Sequence, residues 1–269
     1  MYQGVAIHLP IMSRVHRIRM TMLMNRIERQ QEPETRYTKY VQRLMVVGSH
    51  NAAKLVPLCP NLKSLAIKMS DTAENRAMVN PLFVPNGLSY LNLRRLAISW
   101  FIIPSEHRSC HNPIFRHLTH LQIDPGDKSY WDGLSKLDNL TNMRVTSLDR
   151  EFRAAIHLLF VLEMIKFICQ RFPPSLKYMT ACFHPQHSSN ISTEEAINFC
   201  CEVEIGKFDH RVLFDWSNYR PIQVIFANMT YRNFYDFMDS WIYLPHCYHD
   251  IWRRAELEID NRNRTYGLA

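Results

Sequence analysis

The sequence predicts an α/β fold in which short parallel strands, one per repeat, form a sheet backed by helices and loops. Three observations predict it. One apolar pattern recurs six times, turn-forming residues stand ahead of several recurrences, and helical periodicity is confined to segments between or after them. The 269 residues, 46% of them hydrophobic and 21% charged, can bury a sizeable core and describe neither a disordered nor a fibrous chain.

The recurring pattern is apolar-x-x-apolar-x-apolar. It appears as Val41-Gln-Arg-Leu44-Met-Val46, Leu62-Lys-Ser-Leu65-Ala-Ile67, Leu93-Arg-Arg-Leu96-Ala-Ile98, Leu118-Thr-His-Leu121-Gln-Ile123 and Leu140-Thr-Asn-Met143-Arg-Val145, with a looser sixth copy, Leu176-Lys-Tyr-Met179-Thr-Ala181. First positions fall 21, 31, 25, 22 and 36 residues apart, several of them within the leucine-rich-repeat range. The last two apolar positions, two residues apart, lie on one side of a strand while alternate residues face the other way. A lone half-apolar strand cannot shelter that side, so successive units must stack, giving an irregular leucine-rich-repeat solenoid with a parallel sheet. The flanks agree: Leu58-Cys-Pro-Asn61, Asn92, Asp138-Asn139 and Phe172-Pro-Pro-Ser175 are turn formers that close one element and open the next.

Taken in order, residues 1–40 read as a basic N-terminal cap, 41–182 hold the clearest repeats, and 183–269 hold C-terminal repeats and a closing helix, all in one domain. A helix capped by Asp149 runs to about Gln170 and stops ahead of Pro173-Pro174, with Ala155, Leu158, Leu159, Leu162 and Ile165 as its core stripe. Ser192-Thr-Glu-Glu195 is a capping box that opens a short helix. Arg211 to Trp216 and Pro221 to Phe226 read as strands. Asp250 to Arg262 reads as the closing helix, with Ile251, Ala255 and Ile259 on one side.

Composition excludes several classes of function. Seven glycines leave little for phosphate-cradling or dinucleotide-binding loops, which need glycine at fixed offsets. The net charge of +7 is concentrated toward the N-terminus, where eight Lys and Arg up to Leu44 meet three Glu. Without a zinc-finger, helix-turn-helix or RNP pattern it does not point to nucleic acid. Met12, Val15, Met22 and Ile27 alternate with arginines as a targeting helix would, but Glu28, Glu32 and Glu34 favour a first strand and cap. No apolar stretch is long and uncharged enough for a membrane span. Seven cysteines, odd in number and set in apolar sequence, suit reduced thiols and an intracellular location, cytoplasmic or nuclear.

Chemistry-bearing clusters are loose. Cys182, His184 and His187 with Cys200 offer sulfur and imidazole suited to zinc, but at no recognised spacing, and His107-Cys110-His111 and His246-Cys247-His249 are equally scattered among 13 histidines. No metal or other cofactor is expected. No nucleophile elbow occurs, and Glu194 with Glu195 in a first helical turn cannot face one another across a substrate. The expectation is a protein that is not an enzyme. The alternative from a different class is a hydrolase or transferase with a site assembled from His- and Cys-containing loops.

The phrases Leu58-Cys-Pro-Asn-Leu-Lys-Ser-Leu65 and Phe115-Arg-His-Leu-Thr-His-Leu-Gln-Ile123 resemble the irregular leucine-rich repeats of the F-box-like proteins of mushroom-forming fungi. Asp209-His-Arg-Val212 is similar to that family's Asp-Pro-Arg-Val phrase, with His210 in place of proline, and Asp250-Ile-Trp-Arg-Arg-Ala-Glu256 is similar to its closing Trp-x-x-Ala-Glu helix. Val15 to Met20 and Arg36 to Val41 resemble the strand and linker that follow the F-box. Only fourteen residues precede Val15, too few for the helical F-box itself. The resemblance implies the substrate-recognition half of a cullin-type ubiquitin ligase subunit, contacting the ligase adaptor only if an F-box lies upstream.

The resulting expectation is a protein-binding module whose partner sits on the sheet face turned away from the core. Its expected contact residues are Lys68, Arg95, His120, Gln122, Asn142, Arg144 and Tyr178, a mixture of donors and amphipathic side chains suited to a protein surface.

Overall fold

The computed structural model describes residues 41–47, 56–68, 82–83, 91–146, 156–182, 198–199, 201–203, 205–215 and 251–268. The chain divides into two compact units, Met1–Thr119 and His120–Ala269.

In the first unit the first three repeats become β1 (Arg43–Val47), β2 (Ser64–Lys68) and β3 (Arg95–Ala97), parallel and adjacent in chain order. The register sets Leu44 beside Leu65 beside Leu96, so equivalent repeat positions line up across the strands. Before β2 the chain turns tightly through Val56–Leu58, with Cys59 N donating to Val56 O at 3.1 Å and Leu62 N to Cys59 O at 3.1 Å. These turns carry Leu62, the first apolar position of its repeat, into the core. After β3 the chain continues in short turns. Pro113 opens one of them, where its missing N–H costs nothing, and Asn112 Oδ1 caps it by accepting from Ile114 N at 3.0 Å. Arg108 ties the preceding loop together by donating to Ile103 O (2.7 Å) and Phe101 O (3.2 Å), above the buried Trp100 and Phe115, whose ring centres are 5.6 Å apart.

The second unit carries β4 (His120–Ile123), β5 (Asn142–Thr146), β6 (Tyr178–Cys182) and β7 (Val212–Asp215), again parallel and adjacent in chain order. Between β5 and β6 runs α1 (Ile156–Cys169), which buries Met164, Ile165 and Ile168. Pro173 and Pro174 bar its continuation, and Arg171 closes it by donating to Phe167 O at 3.2 Å while stacking 3.5 Å above the Phe167 ring. Trp131 Nε1 donates to Pro125 O at 2.6 Å and so pins the loop after β4. Near the C-terminus lies α2 (Ile251–Tyr266), longer by one turn than the expected closing helix, with Ala255 and Ile259 packed on Leu213 of β7.

The eighteen apolar positions of the six repeats are all buried, none more than 3% exposed. Burying a Leu, Ile, Val or Met side chain contributes about 1.5–3 kcal/mol, the main drive for stacking the strands. The class is therefore α/β with parallel strands, as the pattern predicts. Among the described residues no helix is long and apolar enough to cross a membrane. The expected cap at 1–40, the capping box at Ser192 and the strand at Pro221 to Phe226 lie outside the described residues.

Candidate functional site

Because successive residues of a strand alternate between faces, the positions between the repeat leucines form a second face. In the second unit the register arranges it in rows: His120 beside Asn142 beside Tyr178, then Gln122 beside Arg144 beside Thr180. This face is polar, and the expectation that it lies open to solvent is not met. Gln122 is 2%, Asn142 3% and Arg144 6% exposed, while His120 and Tyr178 are half-buried.

Part of the cover is α2. Asn142 Nδ2 donates to Glu256 Oε1 at 3.2 Å, and its Oδ1 accepts from Thr141 Oγ1 at 2.7 Å. The Tyr178 hydroxyl donates to Asp260 Oδ1 at 3.4 Å, and its ring packs against the Leu213, Ala255 and Ile259 cluster. Glu256 and Asp260 are four residues apart and share one side of α2, which is why a single helix reaches both strands. Deeper along the strands, Gln122 Oε1 and Thr146 Oγ1 are buried with no hydrogen-bond partner among the described residues. Buried amide and hydroxyl oxygens in that state each cost about 1–3 kcal/mol.

What holds α2 in place is Arg262. Its guanidinium, on a residue only 8% exposed, donates from Nη1 to Val203 O (2.9 Å) and Val212 O (2.7 Å) and from Nη2 to His210 O (2.6 Å). The same loop is organised by Asp209, whose Oδ1 accepts from Arg211 N (2.9 Å) and Nε (3.0 Å) and whose Oδ2 accepts from Nη2 (2.9 Å). Burial pushes the Asp209 carboxyl up, but the hydrogen bonds and charge of Arg211 outweigh it and hold the group below the usual carboxylate range. Of the two tail phrases singled out in the sequence, Asp209 to Val212 is thus bound by Arg262 of the helix that also carries Ala255 and Glu256 of the second. Arg262, Glu256 and Asp260 were not among the expected site residues; the four-residue spacing of the two acids on a helix with an apolar stripe was the available signal.

In the first unit the equivalent second face is small and apolar, with Met45, Ala66 and Ala97 buried. Polar side chains stand at the strand starts. Arg43, Ser64 and Arg95 stand in register, the serine buried and both arginines half-buried. Lys68 ends β2, and its side chain lies outside the described residues. The seven expected contact residues therefore divide: Lys68 and Arg95 belong to the first unit, and the other five gather in the two rows of the second.

Among the described residues no group of three His, Cys, Asp or Glu is placed to hold a metal ion. His184, His187, His246, Cys247 and His249 lie outside them. Burial raises the Cys59 thiol to about 11 and pushes Cys169 up as well, with Asp209 adding to the rise at Cys169. Neither suits a nucleophile, which acts as thiolate. Comparison with known proteins returns no match: no family model, no curated protein and no solved structure aligns with the chain.

Proposed function

We propose that this chain is a non-catalytic protein-recognition module, an irregular leucine-rich-repeat solenoid resembling the substrate-recognition region of a fungal F-box-like ubiquitin ligase subunit. The observation that carries the proposal is the register, which sets one equivalent residue per repeat into rows at the strand starts, Arg43-Ser64-Arg95 and His120-Asn142-Tyr178. Such rows repeat a donor at each strand, roughly 4.8 Å apart. They suit an extended partner better than a small substrate. Arg95 in the first unit's row and His120 in the second unit's row are half-buried members proposed to touch a partner, each within its own unit. Asn142 within that row and Gln122 and Arg144 in the next one are buried and brace the strands rather than touch a partner, Tyr178 meets a partner only beside Asp260, and Lys68 is retained at the far end of β2.

Affinity capture with mass spectrometry tests the proposal, using the wild type and an Arg95→Ala/His120→Ala variant of unchanged thermal stability. A protein recovered reproducibly by the wild type and lost by the variant supports it. Recovery of the small adaptor of a cullin-type ligase would add the ubiquitin role. Equal recovery of every protein by both forms would sink the proposed surface.

A further inference from the structure

Charge is divided between the two units far more unevenly than the net value of +7 suggests. Residues 1–119 carry 16 Lys and Arg against 6 Asp and Glu, a balance of +10, whereas residues 120–269 carry 16 against 19, a balance of −3. Among the described residues of the first unit Glu106 is the only carboxylate, and it is bound to the Ser105 hydroxyl at 3.1 Å on an exposed turn. Four of the seven Lys and Arg among those described residues lie at one edge. Arg43 and Arg95 begin β1 and β3 in register with Ser64, and Lys63 and Arg94, both exposed, stand one residue ahead of β2 and β3.

The backbone fixes that edge. Lys63 N donates to Gln42 O at 2.9 Å, Arg94 N to Lys63 O at 2.8 Å and Thr119 N to Arg94 O at 2.8 Å, so the residues ahead of the strands form a continuous ladder. With strands roughly 4.8 Å apart, Arg43 and Arg95 are held about 10 Å from one another, near the span of three residues of extended peptide. We propose that this edge of the first unit, Arg43, Lys63, Arg94 and Arg95, is a docking site for an acidic, extended segment of a partner protein. The proposal rests on the recognition reading above and gives its partner a chemistry. A carboxylate-bearing peptide fits better than nucleic acid for two reasons. The row crosses only three strands, short of the basic stripe that a polynucleotide backbone follows. No Phe, Tyr or Trp is exposed among the described residues of this unit, so bases would find no large ring to stack on.

Fluorescence anisotropy with two labelled probes, hexaglutamate and a thymidine dodecamer, tests it on the full chain. The wild type is expected to bind hexaglutamate with an affinity that falls as salt rises. Lys63→Glu/Arg94→Glu should weaken it about tenfold or more, and the milder Lys63→Gln/Arg94→Gln by less, while Lys177→Glu on the second unit leaves it unchanged. Both target side chains are exposed, and an unaltered melting curve confirms that the variants fold. Absence of wild-type binding to hexaglutamate, indifference to the reversal, or tighter binding of the dodecamer overturns the proposal. A protein captured through Arg95 and His120 that the charge-reversed variant retains in full removes this inference and leaves the recognition module standing.

Discussion

Arg262 is the test of how the second unit is held together. Its guanidinium joins α2 to the carbonyls of Val203, His210 and Val212 through three bonds of 2.6 to 2.9 Å. Truncation to alanine removes three charge-assisted donors and leaves carbonyls with poor access to water. At a net cost of about 1–1.5 kcal/mol for each bond, after allowing for the desolvation that the guanidinium no longer suffers, Arg262→Ala should destabilise the unit by about 3–4 kcal/mol. For a unit of this size that corresponds to a fall of about 10 °C in its melting transition. Arg262→Lys keeps the charge but not the planar fork, so it should recover no more than about half of the loss. Calorimetry measures the transition, and hydrogen exchange of the Val212–Asp215 amides reports whether β7 loosens with it. A drop of less than about 2 °C in Arg262→Ala would refute the clamp.

Four further predictions concern the second unit and the thiols of both. Gly206 has a φ of +72°, and an added Cβ would collide with the Leu268 side chain, so Gly206→Ala should cost about 1–2 kcal/mol in urea unfolding. At Gly267, φ +64° with nothing within 4 Å of the added carbon, the same change should cost about 1 kcal/mol. Because the folded Asp209 carboxyl is lowered, its stabilising effect is complete above the unfolded value of about 3.9 and disappears as pH falls through the lower folded value. The stability gap between wild type and Asp209→Asn should accordingly close in acid urea titrations; a gap that stays constant with pH would contradict the assigned cause. Ellman's reagent at about pH 8, followed by peptide mapping, should modify exposed Cys201 well before Cys59, which is buried and raised to about 11.

Much of the fold was legible because the repeat pattern is a statement about burial. Leu65, Leu96, Leu121 and Met143 occupy equivalent strand positions, and an apolar residue that recurs with that spacing has few other ways to leave water. The closing helix was legible for the same reason, through Ala255 and Ile259. Its extension to Tyr266 was not, since Asn263 to Tyr266 carry no apolar periodicity. Asn142, Gln122 and Arg144 were misjudged as exposed because polarity at a strand's second face ordinarily indicates solvent.

Sequence alone thus determined which residues lie on the apolar side of each strand and the order in which the strands follow, for alternation and spacing are local properties of the chain. Tertiary structure decided what became of the other side. Glu256 reaches Asn142 across 114 residues of chain, and no local pattern at Asn142 encodes the return of so distant a segment. Charge behaves in the same way: the composition yields +7, but only the division of the chain at Thr119 and the register of Arg43 with Arg95 set part of it along one edge. Electrostatic recognition depends on the distance between charges, and that distance is set by folding.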